Sequence, residues 1–158
     1  MDCGPSCLRM VAKYYGRSIS LNYLRNKSEY GKEGVSMLGL ADAAESIGLK
    51  TIGAKLSFEQ LINEAPLPAI IHWQQYHFVV LVPGSTKSNL IIADPGRGLI
   101  KLSKQEFCKG WISTSENNLH KGTVLLIETT ASFKELNFDD TESKQNGRID
   151  KTYLFNYI

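Results

Sequence analysis

The chain has 158 residues, 42% of them hydrophobic and 22% charged, which fits one ordinary globular domain. Lys plus Arg is 18 and Asp plus Glu is 16, a net charge of +2, too balanced for a nucleic-acid partner, and no basic run is interleaved with aromatics. The longest apolar stretches are strand-sized and too short to span a bilayer, no secretory signal is read ahead of the first motif, and three cysteines make no disulfide framework, so a reducing, cytosolic setting is expected.

In chain order, Asp2-Cys3-Gly4-Pro5-Ser6-Cys7-Leu8 comes first. A Gly-Pro pair opens a helix here, since proline suits the first helical position. Leu8, Val11, Ala12 and Tyr15 then repeat at helical spacing and mark one buried face. Cys3 is thereby expected at the positive end of a helix, beside unpaired amides, a setting that favours the thiolate. A small buried cysteine beside a helix cap is the other reading of the same residues.

Gly16 and Ser18 read as a break, Ser20 to Leu24 as the start of a short helix, and Gly31 to Gly34 as a loop. Ser36 is the expected N-cap of a helix over Met37 to Ile47, with Gly48 as its left-handed stop. Leu49 to Leu56 reads as a strand, and Ser57 to Ala65 as a helix capped by Ser57. From Pro68 the character turns to β. Ala69 to Trp73, His77 to Val82, Leu90 to Ala93 and Leu99 to Leu102 are short strands, with Gly84 to Asn89 a loop between two of them. Ser103 to Lys109 reads as a helix and Thr123 to Glu128 as the last strand. Helices first and a mostly sequential sheet afterwards point to α+β. Beyond Thr130 the periodicity is lost, and Asp139 to Asn146 reads as a polar linker. The apolar end, Tyr153 to Ile158, is what a chain cut from a longer protein would show.

A cysteine nucleophile needs a base within reach, and the base needs a group that orients it. Of the three histidines, His120 lies in a polar turn and is expected to be exposed. His77 stands at a strand end, rigidly held but reachable, and is favoured over His72, which sits mid-strand where a structural histidine is usual. Asp94, in Ala93-Asp94-Pro95-Gly96, is the candidate orienting carboxylate, although Asp-Pro-Gly also starts turns with no catalytic role. Gly96-Arg97-Gly98 is too short for a phosphate cradle. Cys3 and Cys7 lack the paired spacings of a structural zinc site, and Cys108 is isolated, so no metal is expected.

Taken together, Asp-Cys-Gly-x-x-Cys-Leu, His-Phe-Val-Val-Leu and Ala-Asp-Pro-x-x-Gly are a pattern that resembles the peptidase domain of bacterial peptidase-containing ABC transporters, the double-glycine leader or bacteriocin-processing peptidases. The likeness runs from Met1 to about Thr130 and takes in Gly34 to Leu40, Leu67 to Trp73, Phe107 and Trp111. The resemblance implies a papain-like α+β fold, a helical subdomain with Cys3 on an antiparallel β subdomain with His77 and Asp94. It implies a cysteine peptidase over residues 1–130, followed by a linker over 131–158 toward a transmembrane domain. The substrate would be a precursor peptide cut after Gly-Gly and then exported by the attached transmembrane and nucleotide-binding domains. The peptidase itself would need no cofactor, ATP serving only those other domains, and would face the cytoplasm at the bacterial inner membrane. Members carry a glutamine shortly before the nucleophile that helps form the oxyanion hole. That position precedes Met1, and we expect a late start of the chain rather than a decayed enzyme. A silent cargo-recognition domain is the alternative, and a papain-like transferase or amidase a weaker one.

Overall fold

The computed structural model describes residues 2–28 and 34–135. Three helices come first: α1 (Cys3–Tyr14), α2 (Leu21–Lys27) and α3 (Met37–Ser46). Then follow β1 (Leu49–Ser57), α4 (Phe58–Glu64), β2 (Ala69–Trp73), β3 (His77–Leu81), β4 (Leu90–Asp94) and β5 (Gly98–Leu102). The chain continues through α5 (Lys104–Trp111), β6 (Ile112–Glu116), β7 (Leu119–Thr129) and α6 (Ala131–Glu135). No helix among the described residues is long and apolar enough to cross a membrane.

Local signals set most helix ends. Ser36 and Ser57 cap α3 and α4 as expected, their hydroxyls accepting from the amides of Gly39 and Gln60. In α4 and α5 the glutamine or glutamate at the third position also reaches back to the cap amide, closing a capping box. Gly48, at φ 88°, ends α3 in the left-handed region. α1 differs in detail: the helix begins at Cys3, so Pro5 is its third residue rather than its first. Proline is tolerated there because the first-turn amides have no intrahelical acceptor.

All strands pair antiparallel, in the order β1-β7-β2-β3-β4-β5, with β6 attached to β7. β2 to β5 run sequentially, as expected, but β7 inserts between β1 and β2 and pairs with β1 along its whole length, from Leu49↔Thr129 to Ser57↔Lys121. Apolar content shows that a run is a strand, whereas strand order depends on side-chain complementarity across long separations. β6 was not expected, and β7 starts four residues earlier than the Thr123 expectation, at Leu119. The joining pair Asn117-Asn118 has φ 51° and 63°, the left-handed conformations that a two-residue hairpin favours and that asparagine tolerates.

The sheet is covered on both faces. Ile70, Phe78, Val80, Val82, Ile91, Ala93, Leu125 and Ile127 pack with α1 and α3 residues such as Leu8, Val11, Leu40 and Ile47. Ala69, Ile71, Trp73, Val79, Leu81, Leu90 and Ile92 pack with Phe58, Phe107 and Trp111 from α4 and α5. Alternate residues serve opposite cores, which explains why these strands read as continuous apolar runs rather than alternating ones. Just past β7, α6 turns Phe133 into the first core, where it is 1% exposed and meets the Tyr15 ring edge-on. Loss of periodicity past Thr130 concealed this element, because a single anchoring aromatic makes no repeat. The polar segment and apolar end assigned to a linker, residues 136–158, lie outside the described residues.

Candidate active site

Register brings the second and third candidate residues together. Val80 pairs with Ala93, so Asp94 lies opposite Val79, two residues from His77 on the adjacent strand. That is a diagonal neighbour on the same side of the sheet, within reach of long polar side chains. The result is a hydrogen bond of 3.0 Å between His77 Nε2 and Asp94 Oδ1. The Gly96 amide donates to the same oxygen at 2.8 Å, closing the Asp-Pro-Gly turn over the carboxylate. Asp94 therefore does both things that its sequence context allowed, forming a turn and holding a histidine. It is 8% exposed, one of only two polar or charged residues buried among the described residues, and both of these hydrogen bonds fall on its Oδ1. With Nε2 committed to Asp94, Nδ1 is the imidazole nitrogen left for a proton on another group.

Helix α1 brings the thiols to the same strand end. Cys7, one turn inside the helix and fully buried, donates its Sγ–H to the Phe78 carbonyl at 3.3 Å. Phe78 is the neighbour of His77, so this bond ties the helix of the candidate nucleophile Cys3 to the strand that carries the candidate base. Gly4 packs there too, where a Cβ would meet the Phe78 ring, Leu40 and Val35 at 3.5 Å each. Cys3, half-buried at the first position of α1, packs against this core and is the more accessible of the two thiols. The first intrahelical bond runs from the Ser6 amide to the Asp2 carbonyl at 2.9 Å, and Pro5 has no N–H. The amides of Cys3 and Gly4 are thus left without an intrahelical acceptor.

The two cysteines differ in chemistry as well as exposure. Burial, reinforced by the nearby Cys3 and Asp94, pushes the Cys7 thiol well above its ordinary range. Cys7 therefore stays protonated and serves as a donor. Iodoacetamide at about pH 8 is expected to label Cys3 and to leave Cys7 unmodified in the folded chain, with both labelled after denaturation. Peptide mapping by mass spectrometry reads this directly; equal labelling in the folded state would contradict it.

The remaining candidates fall elsewhere. His72 is half-buried within β2, its ring centroid 5.2 Å from that of Phe78, and burial lowers its pKa. It makes no bond to Asp94. His120 is exposed, as expected, but sits on β7 rather than in the turn, with Ser115 Oγ 2.7 Å from its Nδ1. Cys108 is half-buried on α5, away from α1 in the fold. Among the described residues no three of His, Cys, Asp and Glu converge into a possible metal cage.

Two interactions of the site had not been found from the sequence. One is the Cys7 bond to Phe78. The other is a bidentate ion pair between Asp2, next to Cys3, and Arg25 of α2. No pattern marks Arg25, because its partner lies 23 residues away on another element.

Comparison with known proteins places this geometry among relatives. A model of the "Peptidase C39 family" matches residues 1–117. The chain is 36% identical over 109 residues to the colicin V secretion/processing ATP-binding protein CvaB of Escherichia coli, covering 68% of the chain and 15% of that protein. It is 34% identical over 119 residues to the pediocin PA-1 transport/processing ATP-binding protein PedD of Pediococcus acidilactici, covering 70% and 16%. Among solved structures, a double glycine motif protease from an AMS/PCAT transporter, in complex with its leader peptide, superposes with a TM-score of 0.71 at 31% identity, over 82% of this chain and 85% of that one. The peptidase domain of Streptococcus ComA, a bifunctional ABC transporter, gives 0.67 at 29% identity, over 82% and 92%. The chain thus spans 15–16% of the length of these two full-length relatives.

Proposed function

Because the chain belongs to the peptidase C39 family, we propose that it is a cysteine endopeptidase that removes the leader of a precursor peptide by cutting after Gly-Gly. Its fold is the papain-like one, a helical subdomain packed on an antiparallel sheet. The observation that carries the reading is the His77–Asp94 bond at the end of β3, where the Cys7–Phe78 bond fastens the Cys3 helix.

In this mechanism His77 Nδ1 takes the proton from Cys3 Sγ. Nε2–H stays on Asp94 Oδ1, which fixes the ring and stabilises the imidazolium. The thiolate attacks the carbonyl carbon of the second leader glycine, and the carbonyl oxygen becomes an oxyanion facing the Cys3 amide. His77 returns the proton to the leaving amine, giving a thioester, which water then hydrolyses. A donor supplied by a glutamine upstream of Met1 would complete the oxyanion hole.

Residues 1–130 supply the peptidase in this reading, and the residues that follow lead toward transmembrane and nucleotide-binding domains of a parent transporter, where ATP is used. The precursor peptide is the partner of this domain, and the cytoplasmic face of a bacterial inner membrane is its place of work. No nucleic acid takes part.

The test is mass spectrometry of a leader peptide ending in Gly-Gly plus a short core. A single cut after the second glycine is expected. A cleft that admits glycine leaves no room for a Cβ, so alanine in place of either glycine is expected to lower kcat/KM by about 10–200-fold. Equal cleavage of the alanine peptides would overturn the narrow cleft, and scattered cuts would overturn the specificity.

A further inference from the structure

Asp2 stands at the N-cap of α1 and is a residue type strongly favoured there, yet its side chain caps nothing. Four other helices behave differently. Ser20, Ser36, Ser57 and Ser103 hold extended backbone, with ψ from 143° to 164°, and each hydroxyl accepts from the amide of the third helical residue. Asp2 has ψ 26°. Its carboxylate is taken up by Arg25, whose Nε reaches Oδ1 at 2.9 Å and whose Nη2 reaches Oδ2 at 2.6 Å. Both oxygens are engaged in one planar fork.

Pro5 makes the location of a cap unusual. A capping side chain accepts from the second or third helical amide, and the third residue here, Pro5, has no N–H, so a capping carboxylate at Asp2 could settle only on the Gly4 amide, next to Cys3. There it would put a negative charge beside the nucleophile and at the helix end that faces the developing oxyanion. We propose that Arg25 is a positioning residue, which holds the Asp2 carboxylate off the N-terminus of α1 and so keeps that end of the helix open to the thiolate and the oxyanion. The inference rests on Cys3 being the nucleophile, as argued above.

The experiment compares Arg25→Gln, Asp2→Ala and the double variant with the unmodified chain. Cys3 alkylation by iodoacetamide at neutral pH is followed by mass spectrometry, kcat and KM are measured on a Gly-Gly leader peptide, and thermal melting checks the fold. In Arg25→Gln the freed carboxylate caps α1. Alkylation of Cys3 is expected to slow about fivefold, and kcat to fall at least about tenfold with KM within about twofold. Removing the carboxylate as well, in the double variant, is expected to recover most of both losses. Asp2→Ala, which loses only an ion pair between half-exposed groups, is expected to fall by no more than about threefold.

A pair that merely fastened α2 to α1 would give the opposite pattern, with Asp2→Ala as slow as Arg25→Gln and no recovery in the double variant. That result would overturn the proposal. Should Arg25→Gln melt too low, Arg25→Lys gives the same ordering, because an ammonium lacks the fork that holds both oxygens. Alkylation needs no cleavage. A chain that follows this order but cuts no Gly-Gly peptide keeps the role of Arg25 and overturns the peptidase reading. A chain that cuts without this order overturns only the role of Arg25.

Discussion

Cys3→Ala is expected to lower kcat/KM for a Gly-Gly leader peptide by more than about 10⁴-fold while the chain stays folded. The loss is large because no other group can take over. Cys7 is fully buried with its proton on the Phe78 carbonyl, and Cys108 lies on α5. Histidine and aspartate without a thiol could at most activate water, which leaves only the catalysis that binding and the oxyanion donors supply. Stability should change by less than about 1 kcal/mol, since a half-exposed thiol makes way for a methyl group and leaves no buried charge. Cys7→Ala is the matched control, and its pattern is reversed. It removes a buried sulfur and orphans the Phe78 carbonyl, at a cost of about 1–3 kcal/mol in stability, with cleavage retained. Peptide turnover and thermal melting measured on both variants decide the matter. A dead Cys7→Ala beside an active Cys3→Ala would reassign the nucleophile.

Asp94→Asn is expected to lower kcat/KM by about 10²–10³-fold, again in a folded chain. The amide keeps an oxygen where Oδ1 stands, so the Gly96 amide still finds an acceptor and the turn closes. What disappears is the negative charge 3.0 Å from His77 Nε2. In the proposed mechanism that charge stabilises the imidazolium that accompanies the thiolate and keeps Nε2 engaged, leaving Nδ1 for the thiol. An asparagine can also present its NH2 to Nε2, which would favour the tautomer with the proton on Nδ1, the wrong nitrogen for accepting one from Cys3. Steady-state kinetics with circular dichroism melting separates the two roles of Asp94. A loss under about threefold would make it a turn former alone.

The candidate residues of the site could be picked out in the sequence because their signals are local. A cysteine at a helix start, a histidine at the head of an apolar run and an aspartate before Pro-Gly each announce a backbone setting within a few residues. The helix caps Ser36 and Ser57 and the stop at Gly48 were readable for the same reason, since each is settled by hydrogen bonds to residues three or four positions away. β6 was missed because Ile112 to Glu116 holds three hydroxyl residues and a glutamate, an edge strand defined by its partner rather than by its own apolar pattern. The choice between His72 and His77 could be argued from strand position, yet the bond itself depends on how β3 and β4 align.

By itself, then, the sequence determined most of the elements (though not β6 or α6), the caps at Ser36 and Ser57, the three polar residues at strand and helix ends and the family pattern they spell. These follow from short-range backbone preferences and from apolar spacing, which any stretch of chain carries within it. Tertiary structure alone decided that β7 lies between β1 and β2, that the Val80–Ala93 register sets Asp94 diagonal to His77, and that Cys7 ties α1 to β3. It alone joined Asp2 to Arg25 across 23 residues. Such contacts join segments that are distant along the chain, and they form only where the two cores on either side of the sheet can both be filled; no local preference encodes that condition.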